Sequence, residues 1–221
     1  MAQTWLDLLF AHWPVPPETL RPHLPDALAV DTYEGMAWIG ITPFVTSVRP
    51  RGLPTLQRFN ELNVRTYTTV DGRPGIWFFS LDAGSAPAVL GARLFYRLPY
   101  FRATMAVERD ATSVRYRSER DRACWEATYA PTGPPARAVR GTLDHFLTER
   151  YCLYTTGFGT VLRADIEHPP WPLQAATASI ARNTMAPVEL PAREPLLHFA
   201  RRQDVLIWAP TPLSRSRRGR R

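Results

Sequence analysis

Residues 58–82, RFNELNVRTYTTVDGRPGIWFFSLD, spell two extended runs about a tight bend. Asp71-Gly72, with Pro74-Gly75 just after it, supplies the residue types that accept φ > 0 in a two-residue hairpin reversal. Side chains alternate faces along a strand, so Phe59, Glu61, Asn63, Arg65 and Tyr67 share one side while Leu62, Val64 and Thr66 share the other. One face therefore mixes a carboxylate, an amide, a guanidinium and aromatic rings. Turned into a closed barrel, that face lines a polar pocket; turned to water, it is a solvated sheet surface.

The flanking segments read as more of the same sheet. Upstream, residues 17–24 (PETLRPHL) make a short helix ended by Pro25-Asp26, residues 27–31 are extended, and residues 36–44 alternate as a strand with Trp38, Gly40, Thr42 and Phe44 on one side. Downstream, Ser85 caps a short apolar helix that stops before Pro99, and residues 101–109, 112–118 and 123–129 form an antiparallel meander. Thr142 caps a helix over residues 143–150, and strands follow at 151–155, 161–168, 174–181, 196–202 and 205–208. No regular strand–helix alternation exists to build parallel crossovers. The pattern specifies an α+β chain that is mainly β, a barrel or strongly curved antiparallel sheet with a few short helices.

A chain of 221 residues with 45% hydrophobic content can bury a substantial core, and residues 1–210 read as one domain. The formal charge of +7 resembles a nucleic-acid signature, but Arg215, Arg217, Arg218, Arg220 and Arg221 lie at the very end, and without these five the body carries about +2. Residues 211–221 are expected to be a disordered arginine-rich tail with weak attraction to polyanions and no specific nucleic-acid partner. Cys124 and Cys152 stand isolated and read as free thiols, which suits a reducing compartment. The apolar run at residues 5–10 is interrupted by Asp7 and has no basic segment before it, and no apolar stretch approaches the roughly 20 residues that span a bilayer. A cytoplasmic protein with no membrane partner is expected; homo-oligomerisation stays open.

The chain contains no lysine: all 27 basic residues are arginine. Side-chain Schiff-base chemistry is therefore excluded, because a guanidinium stays protonated and does not attack a carbonyl. Five histidines, at 12, 23, 145, 168 and 198, show no metal-ligand spacing, and no glycine-rich phosphate loop, GxSxG elbow or dinucleotide fingerprint occurs, so neither metal nor cofactor is expected. Acid–base and electrostatic chemistry remains. Glu61 is the candidate acid or base, since a carboxylate on a strand face among aromatic residues is desolvated and its pKa rises. Equally, Arg65, four residues on along the same face, could neutralise it as an ion pair. Arg65 and Arg93 can each present a fork to a substrate carboxylate or phosphate. Tyr67, Tyr96 and Tyr100 offer hydroxyls to an oxyanion, Asn63 and Trp38 complete the polar and aromatic lining, and His168, in HPPWPLQ, occupies a proline-rigid corner where an imidazole titrates near neutrality.

The ordered motifs PETLRPHLPDALAVDTYEGMAWIGITPF, FNELNVRTY, PGIWFFSLDA, ARLFYRLPY, LTERYCLYT and HPPWPLQ together resemble the YqjF-like family of bacterial proteins, from about Leu6 to Pro210. That family lends no reaction of its own, but it is similar in turn to the acetoacetate-decarboxylase superfamily. The resemblance implies a curved antiparallel sheet closing into a cone-like barrel around a buried pocket. It also implies that Glu61 matches a pocket glutamate of the decarboxylases. Gly91-Ala92-Arg93 leads to Pro99-Tyr100-Phe101 where those enzymes carry the lysine that forms the imine, so Tyr100 falls near the lysine position. On this basis three functions stand side by side. The first is a cofactor-independent enzyme acting on a small or polyketide-like carbonyl or carboxylate compound by enolisation, dehydration, cyclisation or another lyase step, with Glu61 as acid or base, Tyr100 as donor to an oxyanion and Arg65 or Arg93 as anion clamp. The second is a non-catalytic small-molecule-binding barrel, and the third a nucleic-acid accessory protein acting through its tail.

Overall fold

The computed structural model describes residues 1–213. Its first element is one that sequence periodicity did not single out, a long strand β1 (Ala2–Val15). Then come α1 (Pro17–Leu20), a 3-10 turn Arg21–His23, the two-residue β2 (Ala29–Val30) and β3 (Ala37–Arg49). The hairpin of β4 (Phe59–Val70) and β5 (Arg73–Ala83) follows. Asp71 and Gly72 both have positive φ, 51° and 76°, as a primed two-residue turn requires. Gly75 serves a different purpose from the one its sequence context suggests. A Cβ there would lie 2.6 Å from the Tyr154 ring and 2.8 Å from the Cys152 sulfur, so this glycine is needed for close approach and not for the bend.

Ser85 caps α2 (Ala86–Gly91), accepting a hydrogen bond from the Ala88 amide, and the chain continues through a π-helical turn, Ala92–Tyr96, into β6 (Tyr100–Arg102) and β7 (Thr104–Arg109). Strands β8 (Val114–Arg120) and β9 (Ala123–Pro131) complete the expected meander, and Thr142 caps α3 (Leu143–Thr148). The remaining strands are β10 (Cys152–Gly157), β11 (Thr160–Glu167), β12 (Gln174–Asn183), β13 (Leu196–Ile207) and β14 (Thr211–Pro212). The expected separate strands at 196–202 and 205–208 are one continuous strand, because β1 pairs with it from Leu206 to Leu196 without a break in register. Thr211 and Pro212 pair with β11, so pairing continues past Pro210; the arginine-rich stretch 214–221 lies outside the described residues.

The sheet order β11-β10-β5-β4-β3-β1-β13 closes on itself where Ile166 and Glu167 of β11 meet Ile207 and Leu206 of β13. Seven strands thus form a barrel. Most ladders are antiparallel, as expected, but β5 is paired in parallel with β10 and with β6. The meander β7-β8-β9, joined through β12 to β13, covers one outer side of the barrel and buries Tyr116, Trp125 and Tyr129 against Leu9, Leu62 and Val64. A bulge between β4 and β5 then sets which aromatics face the interior. Val64 pairs with Ser80 but Arg65 pairs with Phe78, so Phe79 is extra and the facing of β5 switches there. Leu81, Phe78 and Ile76 all turn inward, while Trp77 and Phe79 pack on the outer face of the sheet, Phe79 against the edge of the His23 ring.

Candidate active site

Glu61, Asn63 and Arg65 project from β4 into a cavity of about 50 Å³. The hairpin's mixed face is the inward one. Ile76, Phe78 and Leu81 of β5 form an apolar wall, Leu153 of β10 and Ile166 of β11 continue it, and Tyr96 and Leu98 approach from the segment after α2. The π-helical turn matters here because its wider winding brings Ala92 and Tyr96 to the cavity together before Arg97, at φ 56°, ends it.

Glu61 is 3% exposed, and its one side-chain partner is the hydroxyl of Tyr100, which donates to Oε1 at 3.0 Å. Tyr100 reaches it because β6 runs parallel to β5, with Tyr100 opposite Leu81. Burial pushes the Glu61 carboxyl up to about 8, and the Tyr100 hydrogen bond only partly offsets this. Tyr100 itself is held well above the usual phenol range by burial and by the neighbouring carboxyl. At neutral pH this is a carboxylic acid beside a phenol, both uncharged.

The alternative of a Glu61–Arg65 ion pair is not realised. Arg65 turns to the other end of the cavity, where its Nη2 donates to the Leu147 carbonyl at 3.3 Å and to the Tyr67 hydroxyl at 3.4 Å. Tyr67 is fully buried and does not line the cavity. Its hydroxyl donates to the Leu147 carbonyl at 2.7 Å and lies 2.6 Å from His12 Nε2. Burial and Arg65 keep His12 far below its usual pKa. Neutral His12 therefore donates through Nε2 to the Tyr67 oxygen, whose own proton is committed to Leu147. Gly40 makes room for this network, since a Cβ there would sit 2.9 Å from the His12 ring and 3.3 Å from Arg65 Cγ.

The other expected site residues divide. Tyr96, half-buried, lines the cavity, as does His168, whose ring stacks on Tyr151 at 4.6 Å with Nδ1 2.8 Å from the Pro169 carbonyl. Trp38 packs with Tyr67 and Leu147 beside the cavity and not in its wall. Arg93 is displaced outright: its side chain is exposed, Nε donates to the Tyr100 carbonyl at 2.6 Å, and the guanidinium covers the Phe101 ring. A short helix that carries Ala92 inward necessarily carries its neighbour Arg93 outward, so Arg93 cannot clamp a ligand in this cavity.

Sequence reasoning missed Arg150, Trp171, Thr148, Gln3 and Trp5, all of which line the cavity. Arg150 is 4% exposed, donating Nε to the Phe146 carbonyl at 2.7 Å and pairing Nη1 with Asp31 at 2.6 Å. A charged Glu149-Arg150 pair at a helix-to-strand junction, directly after α3, was the available signal. Among the described residues no histidine, cysteine or carboxylate cluster forms a metal-ligand set, and no helix is long and apolar enough to cross a membrane.

A closed, mostly antiparallel barrel with an inward glutamate places the chain among proteins of the acetoacetate-decarboxylase-like fold. The enduracididine biosynthesis enzyme MppR, complexed with pyruvate, superposes with a TM-score of 0.67 at 11% identity, over 96% of this chain and 90% of that one. An acetoacetate decarboxylase-like enzyme from Sphingomonas wittichii RW1 gives 0.67 at 14% identity, over 96% and 92%. The acetoacetate decarboxylase of Legionella pneumophila gives 0.64 at 10% identity, over 96% and 87%. At these identities the likeness is one of fold. Within that fold the chain belongs to the DUF2071 family of uncharacterized conserved proteins, which it matches over residues 2–204. It is 49% identical over 218 residues to the uncharacterized protein YqjF of Bacillus subtilis (strain 168), covering 94% of this chain and 90% of that protein.

Proposed function

We propose that the cavity is a cofactor-independent acid–base active site that enolises, dehydrates or cyclises a small carbonyl compound without a lysine nucleophile. One observation carries this reading: Glu61, buried against the Tyr100 hydroxyl on a cavity wall, with its carboxyl near 8. A carboxyl group poised close to working pH can both give and take a proton, which is what such a step asks of it. Protonated Glu61 transfers its proton to the substrate carbonyl oxygen as the α-carbon loses a proton to the resulting carboxylate. The Tyr100 O–H holds the carboxyl in place and stabilises charge as it develops on the substrate oxygen. The absence of lysine rules out an imine formed by a side-chain amine. The cavity volume suits a compound of roughly four to six non-hydrogen atoms and excludes a polyketide-sized one in this conformation.

The test is solvent deuterium incorporation at the α-carbon of small ketones and oxo acids, followed by proton NMR in D2O. Wild-type protein should accelerate exchange over buffer, and Glu61→Gln should reduce that acceleration by about 10²–10⁴-fold. Equal exchange by the two proteins would remove Glu61 from the chemistry. A wild-type protein that accelerates no exchange in any compound would leave a binding barrel.

A further inference from the structure

The two ends of the cavity differ in charge. At one end Glu61 is an uncharged acid at neutral pH. At the other, Arg65 and Arg150 converge on the last turn of α3, Arg65 bonding the Leu147 carbonyl and Arg150 the carbonyl of the preceding residue, Phe146. Both guanidinium carbons stand over the Tyr67 ring, 5.7 Å and 4.9 Å from its centre. The Arg150 charge is matched by Asp31. Arg65, 5% exposed, makes its polar contacts with a phenol and a carbonyl and has no carboxylate partner among the described residues. A buried cation without a counter-ion is costly, and one positive charge is left over.

Hydrogen-bond accounting points the same way. Arg65 Nε, Arg150 Nη2 and Trp171 Nε1 are buried donors without partners among the described residues, on three side chains that all line this cavity. Trp171 is held there by the edge of Phe10, at 4.9 Å, and Phe10 in turn lies under the Arg65 guanidinium at 5.2 Å. Three unfilled donors and a single uncompensated positive charge describe a receptor for one monoanionic group with several acceptor lone pairs.

We infer that Arg65, Arg150 and Trp171 form a carboxylate subsite that holds the substrate by an anionic end group, away from Glu61. This rests on the acid–base reading only for which end reacts; the subsite itself stands on the arginines. A carboxylate suits the single surplus charge and the small volume better than a phosphate dianion. Held at this end, it is a handle that survives the reaction and not the group that leaves, so the product remains an acid.

The experiment is isothermal titration of the full-length protein at pH 6.5, with Glu61 protonated, using acetate and pyruvate and the methyl ester of each. The expected result is that pyruvate binds at least tenfold more tightly than its ester and that acetate competes with it. Arg150→Met should abolish that preference, bringing the affinities of acid and ester together. Trp171→Phe, which keeps the ring and removes only the N–H, should lower acid affinity severalfold and covers the case in which Arg150→Met does not fold. Equal affinity of acid and ester in the wild-type protein, no acid binding at all, or an acid preference untouched by Trp171→Phe would each overturn the subsite. Glu61→Gln should retain the acid preference. Failed deuterium exchange with intact acid binding would therefore sink the acid–base reading and leave this one standing.

Discussion

Glu61 and Asp82 are buried carboxylates one rung apart on the same hairpin: Glu61 pairs across β4 and β5 with Ala83, and Leu62 pairs with Asp82. Alternation sends them to opposite faces of one sheet, and their surroundings differ accordingly. Asp82, 0% exposed, faces the meander, where Arg120 Nε donates to it at 2.8 Å and the Ser118 hydroxyl at 3.2 Å. Arg120 is in turn stacked over Phe101 at 4.0 Å. Glu61 faces the cavity and has a phenol in place of a cation. Asp82 is thus a completed ion pair that ties β5 to β8, whereas Glu61 bears the cost of burial without an ionic partner. Burial alone does not mark a functional carboxylate; burial without its counter-charge does. The arginines repeat the contrast, with Arg120 and Arg150 paired and Arg65 not.

The contrast between the two carboxylates has its greatest consequence in pH dependence. Glu61 has a folded pKa of about 8 against an ordinary value of 4.5, so between these values the folded state holds a proton that the unfolded state releases. Wild-type stability should therefore decline with rising pH through that window, by about 5 kcal/mol in all, relative to Glu61→Gln. Urea unfolding of both proteins at pH 5 and pH 9 measures it, and parallel curves would mean that Glu61 is solvated. Asp82→Asn should behave in the opposite way, losing about 3 kcal/mol at neutral pH because Arg120 is stranded, where Glu61→Gln gains stability. A gain in Asp82→Asn like that of Glu61→Gln would erase the distinction between the two carboxylates.

Smaller effects sharpen it further. Tyr100→Phe removes the hydrogen bond that favours the charged form of Glu61, so the carboxyl should rise by about one unit more, visible as a basic shift in the pH profile of deuterium exchange. Arg93→Ala should change stability by less than about 1 kcal/mol and leave acid binding unaltered, since its side chain lies outside the cavity. Lost acid binding in that variant would return Arg93 to the site.

How much of this was legible in the sequence depends on the range of the interaction. The hairpin bend, the caps at Ser85 and Thr142 and the sharing of one strand face by Glu61, Asn63 and Arg65 are local, and each was readable from residue types within a few positions; that this face turns inward was not. The neighbourhood of Glu61 and Tyr100, 39 residues apart, was legible only through family resemblance. What sequence could not give depends on closure of the barrel. The bulge at Phe79 reverses which β5 aromatics face inward, against simple alternation. Strand β1 reads as an ordinary apolar run broken by Asp7, because that residue sits at φ 50° within the segment where the β1–β3 register shifts, and a local break hides the strand. Arg150 and Trp171 reach the cavity from distant segments with no periodic signature, and Arg65 chose Leu147 and Tyr67 over Glu61 because α3 brings a carbonyl within its reach.

The central claim is that Glu61 is an uncharged acid at neutral pH. Carbon-13 NMR of protein labelled at the glutamate side-chain carboxyls, with Glu61→Gln identifying the resonance by its disappearance, follows this group alone. A Glu61 carboxyl buried against Tyr100 should show a titration midpoint near 8; a midpoint near the ordinary 4.5 would show a charged, solvated carboxylate and contradict the proposed site.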